Sequence, residues 1–203
     1  MEGKVQIHLL DYREFSADKW GQYDKITCFE MSEHVGVRNY QTYMAQVKAL
    51  LKPDGIFFLQ IAGLRRYWAY EDLIWGNFMG KYIFPGADAS CPMYWNASQL
   101  ERGGFEIMSV RNQGVHYAHT IEAWYHNIVK NREVVEKKYG VFAYRLHEVF
   151  LAWSTMIARQ GSSTVWLIIA THNHAVDNYS VPARGGAILN RSKQFINKKR
   201  YIT

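Results

Sequence analysis

The chain has 203 residues, of which 48% are hydrophobic and 21% are charged, enough apolar residues for the core of one globular domain. Its formal net charge is +6 and its pI is about 9.2, so anionic partners suit it better than cationic ones. The longest apolar run has only the length of a strand, which excludes a membrane-spanning helix. Two cysteines, Cys28 and Cys91, are too few for a disulfide or metal framework.

The first third of the chain predicts a βαβ unit preceded by another strand. Apolar runs predict strands over residues 5–10, 26–31 and 56–62, and the spacing of apolar residues predicts a helix over residues 39–51. A strand, a helix and a strand within about forty residues form a crossover unit in which the two strands are parallel. Cys28 lies inside the second run and is predicted to be a small core residue.

An insert rich in aromatic residues follows, over residues 64–95. Its aromatic residues are Tyr67, Trp68, Tyr70, Trp75, Phe78, Tyr82, Phe84, Tyr94 and Trp95. So many aromatic side chains at the carboxyl end of a strand predict a lid or the wall of a ligand pocket. The alternative is a helix that packs on the core. The aromatic share of the whole chain, 15%, fits an apolar ligand and an aromatic core equally well.

The rest of the chain predicts three further helices, two strands and a polar tail. The helices are predicted over residues 96–102, 121–128 and 142–157, and the strands over residues 105–110 and 164–171. Asn96 is predicted to cap the first of these helices, and the glycine pair that follows is predicted to end it. From His172 onward the chain is polar and basic, which predicts a disordered tail.

The ends of the predicted strands carry the main candidate functional residues. Asp11 and Tyr12 follow the first strand, where an acid and an aromatic ring suit a ribose or an exocyclic amine, or else form a turn. Glu30 and Glu33 bracket the end of the second strand, and one of the two carboxyl groups is predicted to have a raised pKa. Alternatively, Glu33 caps the following helix. His34 is either an acid–base group or a structural residue.

Two further polar residues lie in apolar surroundings. Gln60 belongs to the third predicted strand and must find a hydrogen-bond partner or a ligand there. Tyr117 begins the helical part of the chain, and its phenol either points into the site or caps that layer.

Short motifs with a known mechanism are absent or weak. The chain contains no G-x-S-x-G elbow, no Walker loop and no G-x-G-x-x-G loop. The pairs His116/His119 and His172/His174 have spacings that metals tolerate, but no cysteine or acidic partner accompanies them. Residue patterns alone therefore lead to an α/β domain with an apolar, acid-lined site.

Longer stretches carry a resemblance to a known family. They are YDKITCFEMSEHVG (23–36), LKPDGIFFLQIAG (51–63) and GKYIFPGADAS (80–90). These stretches resemble the cyclopropane-fatty-acid synthases and mycolic acid methyltransferases, S-adenosylmethionine (SAM) enzymes that act on double bonds of lipid chains. Within the family, the fungal sphingolipid 9-methyltransferase branch is the most similar, on three segments: 60–90, GVHY (114–117) and FLAWSTMIARQGSST (150–164). The similarity extends from Val5 to Thr171.

The resemblance implies an α/β fold, a partial Rossmann-like SAM-dependent methyltransferase fold with an aromatic-rich lid insert and an added helical layer. Residues 1–171 are then the carboxyl-terminal part of the methyltransferase domain, and residues 172–203 are the basic tail. The implied activity is C-methylation of a double bond in a sphingolipid, with a lipid substrate and no nucleic acid partner. The implied location is a membrane surface, at the endoplasmic reticulum, or otherwise the cytoplasm.

The resemblance also implies roles for particular residues. Asp11, Tyr12 and Arg13 match the segment that touches the adenine of SAM in the family. Glu33 and Tyr117 match the residues that hold a bicarbonate ion in the cyclopropane synthases, where bicarbonate is the base that removes a proton after methyl transfer.

Two positions depart from the family pattern. Gln60, a candidate catalytic residue, stands where the synthases have a histidine, and Ser154 stands where they have a cysteine. An amide can hydrogen-bond an anion but cannot carry a proton at neutral pH. The sphingolipid branch makes a methyl-branched alkene in place of a ring, so the loss of a different proton suits an altered base site.

The largest departure is at the start, where the family's first strand and glycine loop, which hold the methionine half of SAM, have no counterpart. We therefore expect a fragment of a longer methyltransferase that binds SAM poorly on its own. The main alternative is a catalytically dead lipid-binding or partner module derived from a methyltransferase. Nucleic-acid binding through the basic tail is the third interpretation, but the tail lacks the interleaved aromatic residues of stacking platforms.

Overall fold

A computed structural model describes residues 5–15, 17–67 and 69–173. The strands of this part are β1 (Tyr23–Phe29), β2 (Leu51–Leu64), β3 (Phe105–Asn112) and β4 (Ser163–His172). The α-helices are α1 (Tyr40–Leu50), α2 (Tyr70–Phe78), α3 (Met93–Arg102), α4 (Gly114–Lys130), α5 (Arg132–Tyr139) and α6 (Val141–Gln160), and a π-helical turn, Met79–Ile83, continues α2.

The four strands form one mixed sheet in the order β1-β2-β4-β3. β1 and β2 are parallel, as the βαβ pattern predicts, whereas β4 runs antiparallel to both β2 and β3. The carboxyl ends of β1 and β2 therefore meet the amino end of β4 at one edge of the sheet, where Gly63 pairs with Thr164. This edge carries the candidate site, as expected for an α/β sheet.

The main core lies between this sheet and helices α1 and α3. Alternate residues of β2 point into it, and Phe57, Leu59 and Ile61 are almost completely buried. Gln60 and Ala62 alternate with these residues along the strand and so lie on the other face of the sheet. Cys28 is 5% exposed in this core, which confirms the prediction that it is a small core residue.

Helices α4, α5 and α6 form the added helical layer. Buried Ala118 and Ile121 of α4 pack with Leu151 and Ala158 of α6 in a separate apolar cluster. A 2.5 Å ion pair between Arg159 and Glu122 also joins α4 to α6. In the part of the chain that the structure covers, no helix is both long and apolar enough to cross a membrane.

The predicted strand over residues 5–10 is wrong. Those residues belong to no described strand, and the side chains of Val5, Ile7 and Leu9 are largely or fully exposed. A strand is stabilised by ladder hydrogen bonds with a neighbour, and among the described residues β1 pairs with β2 alone. Apolar alternation by itself cannot supply that neighbour.

Several element boundaries also differ from the predictions. Asn96 is not a cap, because α3 begins at Met93 and the buried Asn96 side chain donates to the carbonyl oxygens of Cys91 and Pro92 at 3.3 Å. β1 begins and ends earlier than the predicted run, and β4 includes His172. The predicted disordered tail otherwise falls outside the described residues from residue 174 onward.

Candidate active site

Glu30 lies directly after β1 in an unusual backbone conformation. Its φ is +48°, the one positive φ of a non-glycine residue in the described ranges. Such a conformation costs about 1–3 kcal/mol and is found mostly where the surrounding structure uses it. The backbone N–H of Glu30 still donates to the carbonyl of Gln60 at 3.0 Å, so the strained residue is fixed to the end of the sheet.

Two side-chain donors converge on the carboxylate of Glu30. Gln60 Nε2 lies 3.0 Å from Glu30 Oε1, and the Tyr117 hydroxyl lies 3.5 Å from Glu30 Oε2. Gln60 has therefore found the partner that a polar residue in an apolar strand requires. Burial raises the pKa of Tyr117, and the negative charges of Glu30 and Glu33 add to the rise, so the phenol stays a proton donor.

Glu33 lies in the next turn and is almost fully buried, at 6% exposure. Its Oε1 accepts the backbone N–H of Ala62 in β2 at 2.7 Å, so the alternative that it caps a helix is wrong. Burial raises the pKa of Glu33, the hydrogen bond from Ala62 opposes the rise, and the charge of Glu30 adds to it. The prediction that one of this pair has a raised pKa is confirmed.

The two acids open into an apolar cavity of about 260 Å³, called here the acid-lined cavity. Its other walls come from three helices and the loop after the π-helical turn, and they include Trp75, Met79, Phe84, Ile121, Trp124, Phe150, Leu151 and Ser154. The indole N–H of Trp75 donates to Ser154 Oγ at 3.1 Å across the cavity wall. The aromatic insert is thus both a pocket wall and a helix packed on the core, so the two interpretations of its sequence describe the same element.

A second cavity, of about 600 Å³, lies beside the first and is called here the polar groove. Asp11, Tyr12 and Arg13 form one side of it, and Tyr43 of α1 packs edge-on against the Tyr12 ring at a centroid distance of 5.4 Å. His34 lines both the polar groove and the acid-lined cavity. The two spaces therefore adjoin at a single exposed side chain.

Asp11 forms the turn that one interpretation of its sequence predicts. Its Oδ1 accepts the backbone N–H of Arg13 at 2.9 Å, and the Arg13 guanidinium pairs with the carboxylate. These hydrogen bonds lower the pKa of Asp11 to about 2. Asp11, Tyr12 and Arg13 nevertheless line the polar groove, so their ligand-binding role stays a prediction.

The structure brings together most of the predicted site residues. Glu33, Tyr117 and His34 line the acid-lined cavity, while Gln60 contacts it through Glu30. The sequence indicates Glu30 only as a neighbour of Glu33 and gives it no role of its own. Its positive φ is not visible in the sequence, and its two donors, Gln60 and Tyr117, lie far from it in the chain. No group of three or more His, Cys, Asp or Glu side chains within the described ranges could hold a metal ion.

We expect Glu33→Gln to raise the melting temperature at neutral pH and to flatten its pH dependence. Because the folded state raises the pKa of Glu33, the stability linked to its proton is complete below the ordinary pKa and is lost as pH rises through the raised value. Glutamine stays neutral and can still accept the N–H of Ala62. Each kcal/mol gained is worth about 2–4 °C in a chain of this size.

Thermal unfolding followed by circular dichroism from about pH 4 to about pH 8 tests this expectation. Glu106→Gln, the same replacement on an exposed position of β3, is the control. A difference in melting temperature between Glu33→Gln and the parent that stays constant over this pH range would contradict it.

The sequence of the chain is similar to those of known proteins. The sequence profile of the family described as mycolic acid cyclopropane synthetase matches residues 1–168. The chain is 52% identical over 172 residues to sphingolipid C9-methyltransferase A of Emericella nidulans, which covers 85% of this chain and 33% of that protein. It is 55% identical over 177 residues to the sphingolipid C9-methyltransferase of Komagataella phaffii, covering 85% and 36%.

Two solved structures show the same fold at low sequence identity. The cyclopropane synthase MmaA2 from Mycobacterium tuberculosis superposes with a TM-score of 0.70 at 18% identity, covering 76% of this chain and 57% of that chain. The mycolic acid cyclopropane synthase CmaA1, solved with SAH and CTAB, gives a TM-score of 0.74 at 19% identity, covering 80% and 59%. The predicted Rossmann-like methyltransferase fold is confirmed.

The chain spans about a third of the length of the two sphingolipid C9-methyltransferases. A more distant relative, the cyclopropane-fatty-acyl-phospholipid synthase of Escherichia coli K12, is 30% identical over 165 residues, covering 81% of this chain and 41% of that protein. The family profile nevertheless covers most of the 203 residues. The chain therefore belongs to the mycolic acid cyclopropane synthetase family.

Proposed function

We propose that this chain is part of an enzyme that methylates a carbon of a double bond in a lipid chain, with SAM as the methyl donor and an unsaturated sphingoid base as the substrate. The observation that carries the proposal is the position of His34, which lines both the polar groove and the acid-lined cavity. Methyl transfer needs the donor and the acceptor in contact, and two adjoining spaces of opposite polarity suit a polar cofactor and an apolar chain.

The polar groove suits the nucleoside end of SAM. Asp11 is ionised and can accept hydrogen bonds, and Tyr12, which the buried Tyr43 contacts edge-on, offers a ring face to a base. When bound, SAM supplies an electrophilic methyl group. The residues of this chain would hold and orient that end of the cofactor, which is the role that the resemblance implies for residues 11–13.

The acid-lined cavity suits a hydrocarbon chain that becomes positively charged. Its walls exclude water from one side through apolar side chains such as Ile121 and Leu151, both buried. When the alkene forms its new bond to carbon, a positive charge remains on the lipid chain. The faces of Trp75, Trp124 and Phe150 can stabilise such a charge.

Glu30 is the proton acceptor in this proposal. The lipid must lose a proton to restore a double bond, and the Glu30 carboxylate is a base held in the cavity by Gln60 and Tyr117. Bicarbonate, which the resemblance implies as the base, fits less well. The donors that would hold it already contact Glu30, and a third negative charge beside Glu30 and Glu33 would be repelled.

A catalytically dead lipid-binding module remains the alternative, since an apolar cavity alone would bind a lipid.

A lipid substrate would also bring the chain to a membrane surface, and the net charge of +6 suits anionic headgroups. This peripheral location, at the endoplasmic reticulum or elsewhere, is part of the proposal.

The test is an exchange of segments. This chain replaces the matching third of the Komagataella phaffii relative, with which it shares 55% identity, in cells that lack their own sphingolipid methyltransferase. We expect mass spectrometry of the extracted sphingoid bases to show one added methyl group, with the label of methyl-labelled SAM. A chimera that is stably produced and binds ceramide but leaves the sphingoid bases unmethylated would favour the dead module.

A further inference from the structure

A third cavity, of about 610 Å³, lies on the other side of the helical wall and is called here the outer cleft. It shares four lining residues with the acid-lined cavity: Trp75, Met79, Ala87 and Ala89. The wall between the two spaces is therefore only one side chain thick at these points. Met79 is unbranched and flexible, so it can move aside for a chain that passes from one space to the other.

The outer cleft differs in chemistry from the acid-lined cavity. Besides its apolar wall it is lined by Asn77, Lys81, Asp88 and Ser90, which offer hydrogen-bond donors and acceptors together. Asp88 Oδ1 accepts the backbone N–H of Ser90 at 3.0 Å, so this part of the lining is ordered by its own hydrogen bonds. A hydrocarbon end would desolvate the amide of Asn77 and the ammonium of Lys81 without giving them a hydrogen bond, whereas a polar head with amide and hydroxyl groups would bond to them.

The helical side of the outer cleft is open because two glycines face it. Gly76 of α2 and Gly80 of the π-helical turn lie four residues apart and both line the cleft. A Cβ atom built on Gly76 meets nothing within 4 Å, and one built on Gly80 meets only the carbonyl oxygen of Ala87 at 3.8 Å. Side chains at these positions would enter empty space.

The outer cleft is also joined to the acid pair through the backbone. The N–H of Asp88 donates to the carbonyl oxygen of Glu33 at 2.8 Å. A ligand that holds the loop around Asp88 would therefore also hold the turn that carries Glu33. Binding in the cleft and order in the candidate active site are linked by this one hydrogen bond.

We propose that the outer cleft is the subsite for the polar head of the lipid substrate, a group with amide and hydroxyl functions. The apolar chain of that lipid passes Trp75 and Met79 and enters the acid-lined cavity, which brings an internal double bond to Glu30. This inference rests on the proposed function, because it assigns the other end of the same substrate.

Gly76→Phe tests the subsite without touching the acid-lined cavity. The ring fills the outer cleft, and phenylalanine is a better helix former than glycine, so the fold should be retained. Calorimetry measures the binding of two probes to the 203-residue parent chain and to the variant. The probes are a short-acyl ceramide and the unsaturated fatty alcohol of the same chain length. We expect the variant to raise the Kd for the ceramide by about tenfold and to change that for the alcohol by less than about twofold.

Ile74→Phe is the matched control. It adds the same ring to an exposed position of α2 that lines neither cavity, and it should bind both lipids as the parent does. If Gly76→Phe leaves ceramide binding unchanged, or weakens both lipids equally, the head subsite is overturned while the proposed function stands. If the parent chain binds neither lipid, both the head subsite and the proposed function are overturned.

Discussion

Replacing Glu30 by glutamine is expected to lower the rate of sphingoid-base methylation by about 10²–10⁴-fold, the usual contribution of a general base. The enzyme in question is the chimera of this chain with the Komagataella phaffii relative. Glutamine has the size of glutamate and the same cost in a left-handed backbone, so the replacement removes the charge with little change in shape. The amide can no longer accept the proton that the lipid must lose. Lipid binding should change little, since the walls of the acid-lined cavity are intact.

The proposed acceptor role rests on three observations about Glu30. Glu30 lines the acid-lined cavity, accepts from Gln60 and Tyr117, and is fixed to the sheet by its own N–H. Both donors point at the carboxylate oxygens and so hold them in place at the cavity. Glu33 is less suited to that role because the backbone N–H of Ala62 occupies one of its oxygens.

The measurement is the initial rate of methyl-label incorporation into ceramide by the chimera in which this chain replaces the matching third of the Komagataella phaffii relative. Glu106→Gln is the control for the change in charge, and it should leave the rate unchanged. Assays in buffer freed of dissolved carbonate test the competing base, and we expect no loss of rate. A Glu30→Gln chimera of near-normal rate, or a rate that depends on bicarbonate, would return the role of the base to that ion.

The sequence predicted the elements whose information is local. The helix α1 and the parallel pair β1 and β2 follow from spacing and from the turn between them. The strand over residues 5–10 failed because a strand also depends on a neighbour, and alternation is the same with and without one. The prediction for Asn96 failed because an amide that suits a helix cap also suits the first turn of a helix, where the carbonyl oxygens just before the helix are in reach.

The candidate site was predictable in its composition more than in its connections. Glu33, Tyr117 and Gln60 were identified by type and position, but the contacts that define their roles join residues far apart in the chain. Gln60 was expected to find a hydrogen-bond partner or a ligand, and its partner is Glu30, 30 positions away in the chain. The outer cleft gave no sequence pattern at all, because its glycines and polar residues become neighbours only when the insert folds back on itself.

Gly63→Ala is expected to destabilise the chain by about 3 kcal/mol, at the upper end of the cost of overpacking. Gly63 lies in β2 at the edge of the candidate site, and a Cβ there would lie 2.6 Å from Trp166 Cζ3 and closer still to the carbonyl oxygen of Cys91. Trp166 is 6% exposed in the main core and cannot move aside. The Cys91 carbonyl belongs to backbone that leads into α3, so the clash must shift either the sheet or that segment.

A loss of this size should lower the melting temperature by roughly 6–12 °C in a chain of about 200 residues. Thermal unfolding followed by circular dichroism measures it, with Gly76→Ala as the matched control because the same methyl group there enters open space. The control should melt at or slightly above the parent temperature, since alanine favours a helix over glycine. Equal melting of the two variants would mean that the loop at Cys91 yields without cost.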